Sequence, residues 1–442
     1  MQKVGMVSLG CSKNLVDAER MFFKIKQAGY TLCADPALAD VVIVNTCGFI
    51  QSAKEEAIET VLEFAKLKDE GQIQKIILTG CLVERYREQT AQLFPEVDGF
   101  LSLGCDADIA WILDTVLQGK RVLKFDSEMQ LPLTGERIVS TLPFFSYLKI
   151  AEGCSNVCSY CAIPSIRGPF RSVPMEDVLA EAQMLAHGGV TEINVIAQDT
   201  TRYGIDLYGE YKLPELLRKL CRIDGFKWIR VLYCYPDRIT DELLDVIASE
   251  EKIVKYIDLP VQHCREGVLK AMNRPDNEES LRALIKKIRE RIPDVTLRTT
   301  LITGFPNESG EDFVGLMRFV QDMEFDRLGC FAYSQEEGTP ACDMEPQIDE
   351  DLRQKRAGLI METQNLIAVN KNAQKLGMTL TAAVEGYDRY AQCYFGRTAA
   401  DAPDIDGKVF FTSENKLRIG QYVDIKITDA VDYDLLGEVV NG

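Results

Sequence analysis

No apolar run in the chain approaches the roughly 20 residues that cross a bilayer. The strand-like opening, Met1-Gln2-Lys3-Val4-Gly5-Met6-Val7, leaves no room for a signal peptide, so a cytoplasmic protein without membrane attachment is expected. Histidine is scarce, with only His187 and His263 in 442 residues. His187 closes a helical pattern and His263 follows a strand. Both are expected to pack or to meet solvent, so a metal site has to be built from other ligands. Basic residues are also in deficit, 50 Lys and Arg against 68 Asp and Glu, a formal net charge of −18. That balance argues against broad non-specific attraction to nucleic acid and favours a basic partner, although it also serves solubility.

Cysteine, by contrast, is plentiful, with 14 residues. In a chain with no secretory start thiols stay reduced, which points to metal ligation more than to disulfides. The densest group is Glu152-Gly153-Cys154-Ser155-Asn156-Val157-Cys158-Ser159-Tyr160-Cys161, a C-x3-C-x2-C spacing with no fourth cysteine and no histidine nearby. A closed zinc site wants four protein ligands. Three thiolates on an iron–sulfur cluster leave one iron free to take a small molecule. With Tyr160 just before its last cysteine, the stretch resembles the signature of radical S-adenosylmethionine (SAM) enzymes, whose free iron chelates SAM and passes one electron to its sulfonium. Redox and zinc sites also use three close cysteines and remain alternatives at this point.

Length suggests about three domains. The first, 1–125, alternates Val/Ile-rich strands with amphipathic helices. Strands are expected at Val4 to Leu9, Val41 to Val44 and Lys75 to Thr79, with helices from Asn14 to Gln27, Ser52 to Leu67 and onward from Glu84. Such a pattern implies an open parallel α/β sheet covered on both faces. Cys11, Cys47 and Cys81 each follow one strand, and the carboxyl ends of parallel strands open on one edge. The three thiols are therefore expected to converge on a second cluster. A cysteine near a strand end can also simply pack as a small hydrophobe, and Cys105, in a similar setting, competes for a place in the set.

Between Asp126 and Phe144 the periodicity fades and a linker is expected. Over 140–370 strands resume at Phe145 to Ile150, Glu192 to Ile196, Trp228 to Tyr233, Tyr256 to Leu259, Thr296 to Ile302 and Leu328 to Tyr333, separated by helices. Six such units imply an incomplete (β/α) barrel with chemistry at the carboxyl mouth. Gly188, Gly189 and Glu192 resemble the stretch that holds the SAM amino group in related enzymes, and Gly304 the glycine beside adenine. Gln198, Asp199 and Arg298 could line the cavity or bond within it. The last segment, 375–442, has five short strands and fits a small OB-like barrel. It holds 11 Asp and Glu against 7 Lys and Arg, which suits a basic protein better than RNA phosphates.

Taken in order, Ser8-Leu9-Gly10-Cys11-Ser12-Lys13-Asn14, Asn45-Thr46-Cys47-Gly48-Phe49-Ile50, Ala197-Gln198-Asp199-Thr200-Thr201 and Asp432-Tyr433-Asp434-Leu435-Leu436-Gly437-Glu438 resemble the radical SAM methylthiotransferases, with a TRAM-type barrel at the end. The subgroup they look like modifies an aspartate of the twelfth small-subunit ribosomal protein. Asn307 stands where that family often has glycine, and Val173 where a further arginine is common. The resemblance implies two [4Fe-4S] clusters, one on Cys11, Cys47 and Cys81 and one on Cys154, Cys158 and Cys161, with SAM contacts from Tyr160, Gly188, Gly189, Glu192, Gln198, Arg298 and Gly304. One cluster would carry the sulfur that SAM methylates, and the other would cleave SAM to a 5'-deoxyadenosyl radical. No general base is implied, because the cofactors carry the chemistry. The residues do not identify the sulfur donor or the electron donor. A tRNA methylthiotransferase and a non-catalytic iron–sulfur protein are the rival readings.

Overall fold

The computed structural model describes residues 2–125 and 131–440. Positions 126–130, which open the expected linker, and Met1, Asn441 and Gly442 lie outside the described residues. The chain divides into two compact units, Met1–Ser140 with Ala151–Val173 and Ser334–Cys342, and Thr141–Ile150 with Pro174–Tyr333 and Asp343–Gly442.

The first unit is built on β1 (Lys3–Ser8), β2 (Thr31–Cys33), β3 (Val41–Thr46), β4 (Lys75–Gly80), β5 (Gly99–Leu101) and β6 (Val122–Lys124). They lie in the order β2-β1-β3-β4-β5-β6, all parallel. Helices α1 (Ser12–Gln27), α2 (Gln51–Asp69), α3 (Cys81–Leu93) and α4 (Ile109–Leu117) form the crossovers. Alternate side chains of a strand face opposite sides. Val4, Ile43 and Ile77 pack with Met21, Ile112 and Leu113 in one core, while Val42, Val44, Ile76 and Leu78 pack with Val61 and Phe64 in the other. Burial on both faces explains why β3 reads as an unbroken apolar run. The order reverses between β1 and β3, where a crevice opens at the carboxyl ends of the strands.

The chain next forms β7 (Phe145–Lys149), then an antiparallel ribbon of β8 (Ala151–Glu152) and β9 (Arg171–Ser172) that encloses the C-x3-C-x2-C loop and helix α5 (Ile163–Arg167). That loop packs in the first unit. The compact units therefore cut across the boundaries expected from sequence. One tie is the Arg171 guanidinium, which donates to the Leu131 carbonyl at 2.9 Å. Another is a small cluster in which Ala162 and Ile166 bury against Cys81, Leu103 and Leu131.

In the second unit helix α6 (Met175–His187) leads to β10 (Glu192–Ile196), β11 (Trp228–Val231), β12 (Ile253–Asp258), β13 (Thr296–Thr303) and β14 (Arg327–Ala332). With β7 these make one parallel sheet in the order β14-β13-β12-β11-β10-β7, the incomplete barrel the spacing implies. A long helix, Glu350–Ala373, connects it to a closed five-stranded barrel of β15 (Thr379–Asp388), β16 (Cys393–Thr398), β17 (Val409–Thr412), β18 (Tyr422–Val431) and β19 (Asp434–Val439). Alternating Ala382, Val384, Ile425 and Ile427 fill the barrel together with Val409, Phe411 and Leu435.

Charged groups bind this small barrel to the parallel sheet. Arg397 donates to Glu192 at 2.9 Å and to Glu385 at 2.6 Å. Arg327 Nε donates to Asp401 at 3.1 Å. Arg230 reaches the Ala399 carbonyl at 2.9 Å, and the Tyr256 hydroxyl donates to Asp406 at 2.6 Å. Removing one partner of a buried pair strands the other charge, at about 3–5 kcal/mol. Arg327→Ala is thus expected to lower stability by about that amount in chemical denaturation. Burial opposes ionisation of Asp401, but Arg327 and the Thr398 hydroxyl outweigh it and hold the carboxyl below its ordinary value of 3.8. The pair's contribution is therefore complete above that ordinary value and fades as pH falls further through the depressed one. The stability difference between wild type and variant should narrow over that acid range.

Candidate metal centres

Cys11, Cys47 and Cys81 come together at the carboxyl edge of the first sheet. Cys11 is the N-cap of α1, Cys81 is the first residue of α3, and Cys47 directly follows β3. Close approach of these loops depends on two glycines. Gly10 has φ +87°, and a Cβ there would stand 2.6 Å from Cys47 Cβ. Gly80 has φ +97°, and a Cβ would stand 2.4 Å from the Thr46 carbonyl oxygen. Polar side chains of the same motifs lock the arrangement. Asn14 Nδ2 donates to the Leu9 carbonyl at 2.9 Å and to the Thr46 carbonyl at 3.3 Å. Asn45 Nδ2 returns a bond to the Asn14 carbonyl at 2.9 Å, and the Thr46 hydroxyl donates to the Thr79 carbonyl at 2.6 Å.

Beside the three thiols lies the buried guanidinium of Arg167. Burial opposes the thiolate of Cys11, but the charges of Lys13 and Arg167 and the N–H groups of Asn14 and Lys13 overcome it, and this thiol lies below its ordinary value. A helix N-terminus acts in the same direction. Burial dominates at Cys47, with the neighbouring Cys11 adding to it, and pushes that thiol up. Cys81 is pushed up to about 12 by burial, against the pull of Arg167, with Cys11 and Cys47 adding to the rise. Cys105 does not join them. It is buried in the core of α1 and α4 with Ile109 and Ile112, within 3.5 Å of Ser102 Oγ.

Within the same unit, Cys154 and Cys158 are buried and Cys161 is half-buried. The Cys154 N–H donates to the Gly168 carbonyl at 3.0 Å, and the Cys161 N–H to the Cys158 carbonyl at 3.2 Å. Burial, together with the neighbouring Cys158 and Cys154, raises the Cys161 thiol, with the Ile163 N–H opposing. Tyr160 is half-buried beside it. The segment Ser334–Cys342 binds residues that flank both sets. Glu336 takes Lys54 at 2.9 Å and Arg85 at 2.6 Å, Arg85 also donates to the Gly48 carbonyl at 2.9 Å, and the Ala341 N–H donates to the Ser159 carbonyl at 2.8 Å. Among the described residues no three His, Cys, Asp or Glu side chains are close enough to hold a single metal ion. Thiolates that ligate different irons of a cluster stand farther apart than ligands of one ion. Three cysteine thiolates are the donor set that leaves one iron of a cluster open.

The remaining candidates divide between the two ends of the parallel sheet in the second unit. Gln198 and Gly304 follow β10 and β13 at their carboxyl ends. Gly188 and Gly189 instead end helix α6, the first as its C-cap and the second with φ +91°, and Glu192 opens β10. All three lie at the amino edge of the sheet, opposite the edge on which Gln198 and Gly304 stand. Burial notwithstanding, Arg397 and Arg230 hold the Glu192 carboxyl below its ordinary value. Arg298 is likewise committed, to Asp258 at 3.0 Å and Asp406 at 3.6 Å. His263 is buried and, through burial, lowered to about 3, a neutral packing histidine as expected. Asn307 adopts φ +68°, which asparagine tolerates in place of glycine, and Val173 is buried. Sequence reasoning missed Arg167 and Glu336. Nothing local marks either, because their partners lie far away along the chain.

Three family models match the chain. Residues 3–102 match Uncharacterized protein family UPF0004, residues 148–320 the Radical SAM superfamily and residues 376–440 the TRAM domain. A protein of Acetivibrio thermocellus named ribosomal protein uS12 methylthiotransferase RimO is 46% identical over 448 residues, covering 100% of this chain and 99% of the relative. The RimO protein of Geobacter sulfurreducens is 47% identical over 443 residues, again covering 100% of this chain and 99% of the relative. The chain belongs to the RimO family. Among solved structures, the radical SAM methyltransferase TsrM of Kitasatospora setae aligns with a TM-score of 0.54 at 12% identity, covering 88% of this chain and 79% of that one, which shows the fold alone.

The glycine contact can be tested against a neutral control. Gly80→Ala is expected to cost about 1–3 kcal/mol through its backbone conformation and the clash with Thr46. Gly71→Ala, at a φ of +75° with nothing within 4 Å of the added atom, should cost less. Comparison of the two denaturation midpoints isolates the close approach of the loops.

Proposed function

We propose that this radical SAM methylthiotransferase adds a methylthio group to the β-carbon of an aspartate in ribosomal protein uS12, using SAM and two [4Fe-4S] clusters. Cys11, Cys47 and Cys81 would hold one cluster, and Cys154, Cys158 and Cys161 the other. The observation that carries the reading is full-length identity of 46–47% with RimO proteins, supported by the C-x3-C-x2-C loop and by three cysteines that each follow a strand of the first sheet. When bound, the cofactors supply a radical able to take hydrogen from an unactivated carbon and the sulfur that replaces it. The chain's own part is to bind and orient them. Lys13, Arg167 and the start of α1 favour the thiolate of Cys11, the form a metal takes. Tyr160, Gln198 and Gly304 remain the proposed SAM contacts. A substrate on the ribosome implies work in the cytoplasm, and among the described residues no helix is long and apolar enough to cross a membrane.

The test uses anaerobically reconstituted enzyme with SAM, dithionite and sulfide, offered either uS12 or tRNA. Mass spectrometry should show a gain of about 46 Da on one aspartate of uS12, a methylthio group replacing hydrogen. A gain on tRNA alone would overturn the substrate. Cys47→Ala should abolish the gain yet continue to release 5'-deoxyadenosine, whereas Cys158→Ala should abolish both.

A further inference from the structure

We propose that Arg167 is a positioning residue that ties the two cysteine loops together and raises the reduction potential of the cluster on Cys11, Cys47 and Cys81. The inference rests on the two-cluster reading above. Arg167 ends α5, six residues after Cys161, and its side chain is fully buried. Nη1 donates to Asp17 Oδ2 at 3.0 Å and to Glu152 Oε1 at 3.0 Å. Nη2 donates to Asp17 Oδ2 at 3.0 Å and to Asn14 Oδ1 at 3.4 Å. Asn14 and Asp17 stand on α1 just past Cys11, and Glu152 stands two residues before Cys154. One guanidinium therefore holds the shoulder of each loop. Asn14 extends the tie, since its amide also binds the carbonyl of Thr46 beside Cys47.

The same residue is built into the first thiol set. Its neighbour Ile166 packs against Cys81, and Asn14, which Arg167 binds, also holds the Thr46 carbonyl next to Cys47. Cluster potentials follow net charge and hydrogen bonds to the sulfurs. A fixed cation beside one cluster favours its reduced state, and more strongly than that of a cluster farther off. Arginine suits the task because it stays charged and offers a rigid fork to both carboxylates.

The experiment compares wild type, Arg167→Gln, Arg167→Lys and Asp17→Asn after anaerobic reconstitution, with iron and sulfide counted and both clusters titrated by EPR. Arg167→Gln should move the potential of the first cluster to more negative values and that of the second less. Asp17→Asn, which removes a negative charge while loosening the same tether, should move it the opposite way. Arg167→Lys should keep most of the potential but lose the fork. Methylthio product per 5'-deoxyadenosine should fall about 100-fold in Arg167→Gln, the scale of a small misplacement. Unchanged potentials, equal shifts in both clusters, or shifts of the same sign in Arg167→Gln and Asp17→Asn would overturn the inference. If Arg167→Gln fails to take up iron, an Asp17→Asn potential that does not rise, or an Arg167→Lys potential that strays far from wild type, overturns it just as well. Wild type holding about four irons per chain instead of about eight would instead overturn the two-cluster reading.

Discussion

Close approach of three loops at one sheet edge is the constraint on which the first unit depends. Parallel strands deliver their carboxyl ends to a common edge, but they do not bring the following loops into contact. Side chains normally keep such loops apart. At Gly10 and Gly80 the missing Cβ removes that barrier and the left-handed backbone turns each chain inward. Asn14, Asn45 and Thr46 then satisfy the carbonyls that the tight turns leave buried. Each device requires the others, because glycines without the polar clasp would leave unpaired backbone groups at about 1–3 kcal/mol each. The motif residues around the cysteines are thus the means by which three distant loops meet at one edge.

Burial of charge follows the same logic of mutual dependence. Arg167 would be costly in an apolar interior by itself, as would Asp17 and Glu152. Together they are tolerable, because each carboxylate accepts from the guanidinium at 3.0 Å. In the second unit Glu192, Arg397 and Glu385 form one such set, and Arg327 with Asp401 another. Ion pairs of this kind contribute little net stability compared with apolar packing, yet they resist rearrangement because breaking one strands its partner. They fix orientation more than they add strength.

Legibility in the sequence tracks how local the governing interaction is. Strand and helix periodicity arises from neighbours, so the Val/Ile runs of β1, β3 and β4 and the alternation in β15 and β18 could be read directly. Cysteines placed after strands could be read through the topology those strands impose. Cys105 could not be separated from Cys81, because the choice depends on which side of the sheet each loop turns. The structure sends Cys105 into the core of α1 and α4 and Cys81 toward Arg167. Gly188 and Gly189 are ambiguous for a related reason. A glycine pair before a strand marks either a ligand cradle or a helix C-cap, and only the placement of α6 decides between them. Arg298 and Glu192 each have one partner in the parallel sheet and another, Asp406 or Arg397, more than a hundred residues away in the terminal barrel. No local pattern could announce such a commitment.

Charge in the terminal barrel shows why composition is a weak guide to partners. Its excess of acidic residues suggested a surface shaped for a basic protein. Glu385, Asp401 and Asp406 are turned inward, toward Arg397, Arg327 and Arg298. Outside, exposed Asp424, Asp429 and Glu438 are interleaved with exposed Lys408, Lys416 and Lys426. A mixed surface of that kind exerts little net pull of either sign beyond a Debye length of about 8 Å at physiological salt. Long-range attraction for a basic ribosomal protein must then come from the chain's net charge of −18, which this barrel does not concentrate. Discrimination between protein and RNA would fall to short-range contacts at the barrel surface, such as the fully exposed ring of Tyr390 at the tip of the β15–β16 hairpin. An aromatic there can stack on a base or pack on a peptide. Full-length likeness to RimO proteins is what points to a ribosomal protein, and the acidity of the barrel is better understood as the means by which it is anchored.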